Sequence, residues 1–350
     1  MATIKDIARI VGCSHPLVSQ VLRGDPACRA SRETRMEILR VSCSLNYRPN
    51  RLARRLRGSG SGVIFILSRC CPPPECQLLM SVISEKLGEL GYQVFQAQTA
   101  SDSDTRNLVG DFVELGADGI VSCYTHYIPP EDAGIPTVTI SDYDSVPHDL
   151  GMDMASAGNM LTAHLLEHGL RRIAFVGIGA WGFKEFQGGY EEAMNAHGMK
   201  KNWTFDMQYD IRGLQKLLKA LKEEHLDAFV CQNDYLAAKL MAALAENGIR
   251  VPDKVAVTGN NGMAFGDFCT PQLTTTLYPY RELAEEAASL IHARICKTPD
   301  TSSLPKMFKP TLYLGGSCGC TPHPREKLFL LQPTPILQEN LRRESLLMLE

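Results

Sequence analysis

Thr3-Ile4-Lys5-Asp6-Ile7-Ala8-Arg9-Ile10-Val11-Gly12-Cys13-Ser14-His15-Pro16-Leu17-Val18-Ser19-Gln20-Val21-Leu22 decides the fold at the start of the chain. Thr3 can cap a helix over Ile4, Ile7, Ala8 and Val11, whose i, i+3, i+4, i+7 spacing makes one apolar face. Gly12 ends that helix in the left-handed conformation that glycine tolerates. Ser14 can cap a second short helix, His15 to Leu22, with Pro16 allowed in its first turn. Two short helices joined by a glycine turn form the helix-turn-helix pattern, whose second helix enters a major groove. Leu17, Val18, Val21 and Leu22 leave His15, Ser19 and Gln20 pointing outward. Their donors and acceptors suit base edges or phosphates, although a solvated polar face is the commoner fate of such residues.

Outward from this stretch, a third helix starts at cap Ser31 and runs through Met36, Ile38, Leu39 and Val41 to Leu45, closing a three-helix core. After Pro49, residues Asn50–Arg57 set Arg51, Arg54, Arg55 and Arg57 around Leu52, Ala53 and Leu56. This segment is too short to be a helix in water by itself and needs a partner surface. Gly58-Ser59-Gly60-Ser61-Gly62 reads as a flexible linker. Residues 1–60 hold twelve Lys/Arg against four Asp/Glu, a net charge of +8. The whole chain is −3, so residues 61–350 sum to −11. A small basic head on an acidic body is the electrostatic footprint of a DNA reader joined to something else.

The 350 residues allow two or three domains with sizeable cores, and 44% apolar with 21% charged residues is an ordinary globular profile. The N-terminal residues lack the apolar core of a secretory signal, and no apolar run approaches the ~18–20 residues that span a bilayer. A cytoplasmic location is expected. Twelve cysteines are scattered along the chain. In a chain without an export signal that favours reduced thiols. Cys70-Cys71 with Cys76, and Cys318-Gly319-Cys320, are the clusters. Neither has the C-x₂-C spacing of a structural zinc site and no His-x₃₋₅-His stands beside them in the chain, so no metal is expected.

From Gly62 onward short apolar runs alternate with helix-period segments. Strands are expected at Val63–Leu67, Gln93–Gln98, Gly119–Cys123, Thr137–Ser141, Ile173–Gly177, Ala228–Cys231 and Val255–Gly259. Helices are expected at Leu78–Leu90, Thr105–Leu115, Met154–His168, Lys184–His197, Leu214–Glu224, Tyr235–Asn247 and Glu282–Ile295. Such alternation argues for parallel α/β sheets, in two similar lobes, with a ligand cleft at the carboxyl ends of the strands.

Thr3–Ala8, Val18–Leu22, Glu33-Thr34-Arg35 and Asn46-Tyr47-Arg48-Pro49-Asn50 resemble the DNA-binding head of the LacI/GalR family of bacterial transcription regulators. Leu115–Ile120, His168–Gly177, Gln232-Asn233-Asp234, Leu273–Thr276 and Gly315–Gly319 resemble that family's body, which is akin to periplasmic sugar-binding proteins. The resemblance covers residues 3 to about 320. It implies a three-helix helix-turn-helix head over 1–49, a hinge helix and linker over 50–61 and a two-lobed parallel α/β body over 62–320. The first lobe takes about 62–153 with 278–308, the second about 154–277 with 309–320, and a tail follows over 321–350. It also implies a homodimer on double-stranded DNA, at a near-palindromic operator. Carried over residue by residue, the DNA contacts fall on Thr3, Ser14, His15, Ser19, Gln20, Arg23 and Thr34 in the head. In the hinge they fall on Asn50, Arg51, Ala53, Arg54 and Leu56, with Leu56 wedging a central base step in the minor groove.

The chain departs from the family pattern in places. The loop Arg23–Ala30 is longer, and the recognition helix begins with His15-Pro16, so His15 carries more of the base reading. In the body, Phe186 stands where family members often hold an effector with Arg, three residues before the pair Gly189-Tyr190. The turn Gly259-Asn260-Asn261-Gly262 replaces a carboxylate with Asn261. Losing both removes the strongest charge-assisted bonds to sugar hydroxyls. Asn233 and Asp234 are kept. Trp181, Phe183 and Phe186 offer flat faces for stacking on a ring, or else fill the core between the lobes. The expected effector site is therefore Trp181, Phe186, Asn233, Asp234 and Asn261, for a sugar-like or other ring compound; an effector-independent cleft is the alternative. A binding protein with no DNA role would lack the basic head.

The tail has Pro322, Pro324, Pro333 and Pro335, then an amphipathic stretch from Ile336 to Leu349. It could pack on the body, self-associate into a higher oligomer or fray. No G-x-x-x-x-G-K-[ST] or H-E-x-x-H motif is present, and the Rossmann glycine fingerprint is incomplete at Gly177-Ile178-Gly179. Neither catalytic residues nor a cofactor are expected.

Overall fold

A computed structural model describes residues 2–22, 28–45, 47, 60–69, 74–124, 133–142, 147–178, 183–207, 211–298 and 305–322. The chain divides into two compact units, Met1–Ser61 and Gly62–Glu350.

The first unit is a three-helix core: α1 (Ile4–Val11), α2 (His15–Leu22) and α3 (Arg32–Ser44). Each start has a local chemical cause. The Thr3 hydroxyl oxygen accepts from the Asp6 amide at 3.3 Å, and the Asp6 carboxylate accepts from the Thr3 amide at 2.9 Å, a closed capping box. Gly12, at φ 71° and ψ 33°, ends α1 in the left-handed region. Ser14 Oγ accepts from the Leu17 amide at 3.4 Å and Ser31 Oγ from the Thr34 amide at 3.1 Å. Ile7, Ala8, Val18, Val21, Cys28, Ile38 and Val41 bury one another, which fixes the angle between α1 and α2. Leu39, expected to run with this apolar face, is exposed.

The second unit holds two parallel sheets. In the first, β1 (Val63–Arg69), β2 (Gln93–Thr99), β3 (Gly119–Cys123), β4 (Thr137–Ile140) and β5 (Leu150–Met152) are joined by β11 (Lys306–Phe308). Their order is β11-β5-β4-β3-β1-β2. The register Phe65↔Ile120 and Val121↔Val138 places apolar residues side by side. The second sheet has the order β7-β6-β8-β9, from β6 (Ile173–Gly177), β7 (Trp203–Asp206), β8 (Ala228–Cys231) and β9 (Ala256–Thr258). A short antiparallel pair, β10 (Thr275–Leu277) with β12 (Thr311–Tyr313), completes the strands.

Helices α4 (Pro74–Glu89), α5 (Asp102–Leu115), α6 (Met154–Glu167), α7 (Phe183–Ala196), α8 (Ile211–Glu223), α9 (Asp234–Glu246) and α10 (Tyr280–Cys296) follow the expected alternation. β5, β7, β10, β11 and β12 were not anticipated. Each is three or four residues long and borrows its strand geometry from a neighbour. One apolar core runs from Ile64, Val121 and Val138 through Met152 and Met154 to Phe175 and Val230, so the two sheets share buried residues. No helix among the described residues is long and apolar enough to cross a membrane.

Candidate functional site

The head presents its polar residues on α2. Ser14, His15 and Pro16 are exposed at the start of that helix, and Ser19 and Gln20 are half-buried. Pro16 has neither an N–H nor a polar side chain, so His15 is the base-reading candidate in that first turn. The Thr3 hydroxyl donates to Asp6 Oδ2 at 2.7 Å, and the Thr34 hydroxyl lies 3.1 Å from Ser31 Oγ. Both residues thus shape helix starts, whose exposed amides also suit phosphate oxygens. Arg9 pairs with Asp6 at 3.2 Å and Arg40 with Glu37 at 2.6 Å. Such exposed pairs contribute about 0–1 kcal/mol and are screened by salt, so these arginines stay available to phosphate. Arg23, Asn50, Arg51, Ala53, Arg54 and Leu56 lie outside the described residues.

In the body, the expected effector residues have structural work of their own. Asn233 caps α9, its Oδ1 accepting from the Leu236 amide at 2.8 Å. Asp234 is fully buried. It accepts from the Met263 amide and from the Thr275 hydroxyl, each at 2.5 Å, and so pins the 260–263 turn to β10. Asn261 sits in that turn at φ 96°, taking a 2.9 Å bond from Asn260 Nδ2. Trp181 lies outside the described residues.

Phe186 is a correction. It does not present a flat face to a ring compound: it is fully buried, its ring 5.8 Å from that of Phe175 and tilted by 32°. The physical reason is the close approach of α6 and α7. A Cβ on Gly158 would clash with the Phe186 carbonyl oxygen, and one on Gly189 with the Ala155 carbonyl oxygen. Backbone contact between the helices drives position 186 into the core. Tyr190 is buried with it, its hydroxyl donating to the Ile173 carbonyl at 2.8 Å.

Sequence reasoning missed a group at the carboxyl end of β3. Tyr124 has a buried hydroxyl with no hydrogen-bond partner among the described residues, and its backbone is left-handed at φ 54°. Its electrostatic neighbours are Asp142, Tyr280 and Cys76. Burial, aided by the Asp142 carboxylate, pushes the Tyr124 hydroxyl well above its ordinary range, so it remains a proton donor. Thr258 Oγ1, at the end of β9, is likewise buried without a partner among the described residues. An unmatched buried hydroxyl costs about 1–3 kcal/mol, and an unusual φ at a bulky residue adds to that. Two such hydroxyls at strand carboxyl ends are where an α/β body places a ligand. The only sequence signal was position: Tyr124 directly follows the apolar run Gly119–Cys123.

Residues 3–50 match the bacterial regulatory proteins of the lacI family, and residues 162–318 match the periplasmic binding protein-like domain. The chain thus joins a lacI-family DNA-binding head to a periplasmic binding protein-like body. It is a DNA-binding transcriptional regulator and not an enzyme. The ribose operon repressor of Halalkalibacterium halodurans is 27% identical over 308 residues, covering 85% of this chain and 92% of that one. In fold, the regulator is similar to a lac repressor dimer bound to operator and the anti-inducer ONPF, with TM-score 0.76 and 19% identity over 91% of this chain and 99% of that one. It is also similar to the transcriptional regulator CelR in complex with cellobiose, with TM-score 0.65 and 24% identity over 91% and 100%.

Proposed function

We propose that this regulator is a homodimeric repressor that reads a near-palindromic operator and releases or tightens its hold when a small ring compound enters the body. The observation that carries the reading is the capped helix-turn-helix with His15 exposed on its second helix. In this reading Ser14, His15, Ser19 and Gln20 face the major groove, while Thr3, Arg23 and Thr34 take phosphates. Asn50, Arg51, Ala53, Arg54 and Leu56 form a hinge that is helical only when paired on DNA. The domains run as 1–49, 50–61, a two-lobed body to about 320, and a tail. The lobes divide near 153, 278 and 308, where the chain passes between the two sheets. The protein works in the bacterial cytoplasm, on the nucleoid.

The effector site in this proposal is Tyr124 and Thr258 with Asn261 and Trp181, the two orphan hydroxyls supplying donors to a sugar-like ring. An effector can change operator affinity only by binding the DNA-competent and incompetent states differently. A second reading, an effector-independent cleft, is favoured by the internal engagement of Asp234 and the burial of Phe186. Gel-shift titrations of Leu56→Ala and Arg54→Ala test the hinge, and unchanged operator affinity in both would sink it. Thermal shifts with D-ribose, cellobiose and a wider sugar panel test the cleft. A shift that Tyr124→Phe weakens supports the first reading, and no shift with any compound leaves the second.

A further inference from the structure

The pair Cys318-Gly319-Cys320 has no histidine beside it in the chain, but the fold supplies two. His164 stands on the last turn of α6 and His168 caps that helix, and i, i+4 spacing puts them on one face. Their rings lie 4.6 Å apart. The segment after β12 brings the two thiols to that face. His164 Nε2 is 3.4 Å from Cys318 Sγ and 3.7 Å from Cys320 Sγ, and His168 Nε2 is 3.4 Å from Cys320 Sγ. The ligand atoms of His164, His168 and Cys320 all fall within 4.8 Å of one another.

The three N···S separations, 3.4–3.7 Å, are those of a coordination shell that His164, His168 and Cys320 form together and that Cys318 meets through His164. With Zn–S of about 2.3 Å and Zn–N of about 2.0–2.1 Å, a tetrahedron has N···S edges of about 3.5 Å. We propose that His164, His168, Cys318 and Cys320 form a zinc site, with both imidazoles binding through Nε2 and both thiols as thiolates. Two nitrogens and two sulfurs in a tetrahedral arrangement select a borderline-soft ion over magnesium or calcium. The site has an outer support: the Thr274 hydroxyl lies 3.0 Å from Cys318 Sγ, and Thr274 also bonds the Gly315 backbone at 3.0 and 3.1 Å. His164 and Cys318 are buried while His168 is exposed, giving an ion both a dry floor and an entry path.

Binding displaces two thiol protons to solvent, so the reaction balances as one Zn²⁺ for two H⁺. The ion would fasten the end of α6 to the segment 315–320. That segment is itself held to the second sheet, Ser317 Oγ donating to the Val257 carbonyl at 2.5 Å.

The test uses the full-length, untagged chain, stripped with a chelator, kept reduced with a phosphine and dialysed against Zn²⁺. The expected result is one zinc per chain. Cobalt substitution should give a thiolate charge-transfer band. Cys320→Ser and His168→Gln should each weaken zinc binding at least ~10-fold, and Cys318→Ser should do the same. Cys296→Ser, an exposed thiol beside His292 on α10, should retain the full equivalent. Circular dichroism on each variant reports whether it is folded, and operator binding gives a second check of the native state. Zinc content unchanged in Cys320→Ser and His168→Gln overturns the site, as does no retained zinc in the native chain. Unchanged affinity in Cys318→Ser overturns the two-thiolate shell, and retention of copper(I) with no zinc overturns the choice of metal.

Discussion

At the scale of single residues, the body separates side chains that hold the fold from side chains that wait on a partner. Asp234 belongs to the first kind. Asp234→Ala leaves the buried Met263 amide unpaired and takes the short bond from the Thr275 hydroxyl, and the expected loss is about 3 kcal/mol in urea unfolding. Tyr124 belongs to the second kind. Tyr124→Phe removes a hydroxyl that nothing among the described residues satisfies, so stability should hold or rise by about 1 kcal/mol. Ligand response should fall in the same variant, and a protein that loses both stability and response would show that the hydroxyl is structural. No sequence pattern could rank these two residues. Asn233-Asp234 drew attention because the family keeps it, yet its carboxylate is committed to a turn some thirty residues away. Tyr124 drew none, because its meaning depends on what surrounds it and not on its neighbours in the chain.

At the scale of elements, the capping signals were the most legible. Thr3, Gly12, Ser14 and Ser31 act locally, so α1, α2 and α3 stand where composition and spacing placed them. The longer body helices followed for the same reason, with starts and ends moved by a few residues. The short strands were illegible. Lys306-Met307-Phe308 has no apolar run of its own and becomes a strand by pairing with Leu150–Met152. Two predictions sit at this scale. Gly158→Ala or Gly189→Ala sets a methyl against a backbone carbonyl, and each should cost about 1–3 kcal/mol by forcing α6 and α7 apart. The Asp6 carboxyl is held below its ordinary value of 3.8, first by the Thr3 hydroxyl and then by the Thr3 amide. A depressed folded-state value contributes stability that is present above the unfolded value and lost as pH falls through the folded one. Acid should therefore loosen α1 below about pH 4, and Asp6→Asn should flatten that part of the melting-versus-pH curve.

At the scale of the whole molecule, the charge asymmetry sets the conditions under which the regulator works. If the dimer neutralises roughly six phosphates, operator affinity should fall about a thousandfold between 50 and 200 mM salt. A slope near zero in that titration would remove phosphate contact as the main source of affinity. The first sheet draws its edge strand from 306–308, and β10 pairs with 311–313, so both ends of the body's architecture depend on chain made late. The apolar core of the head is drawn from residues 4–47. On a ribosome, where the amino-terminal end emerges first, the DNA reader can assemble while the body still lacks its closing strands. A transcript broken before codon 306 would then release a protein that keeps its reading head and has no body able to answer to a ligand.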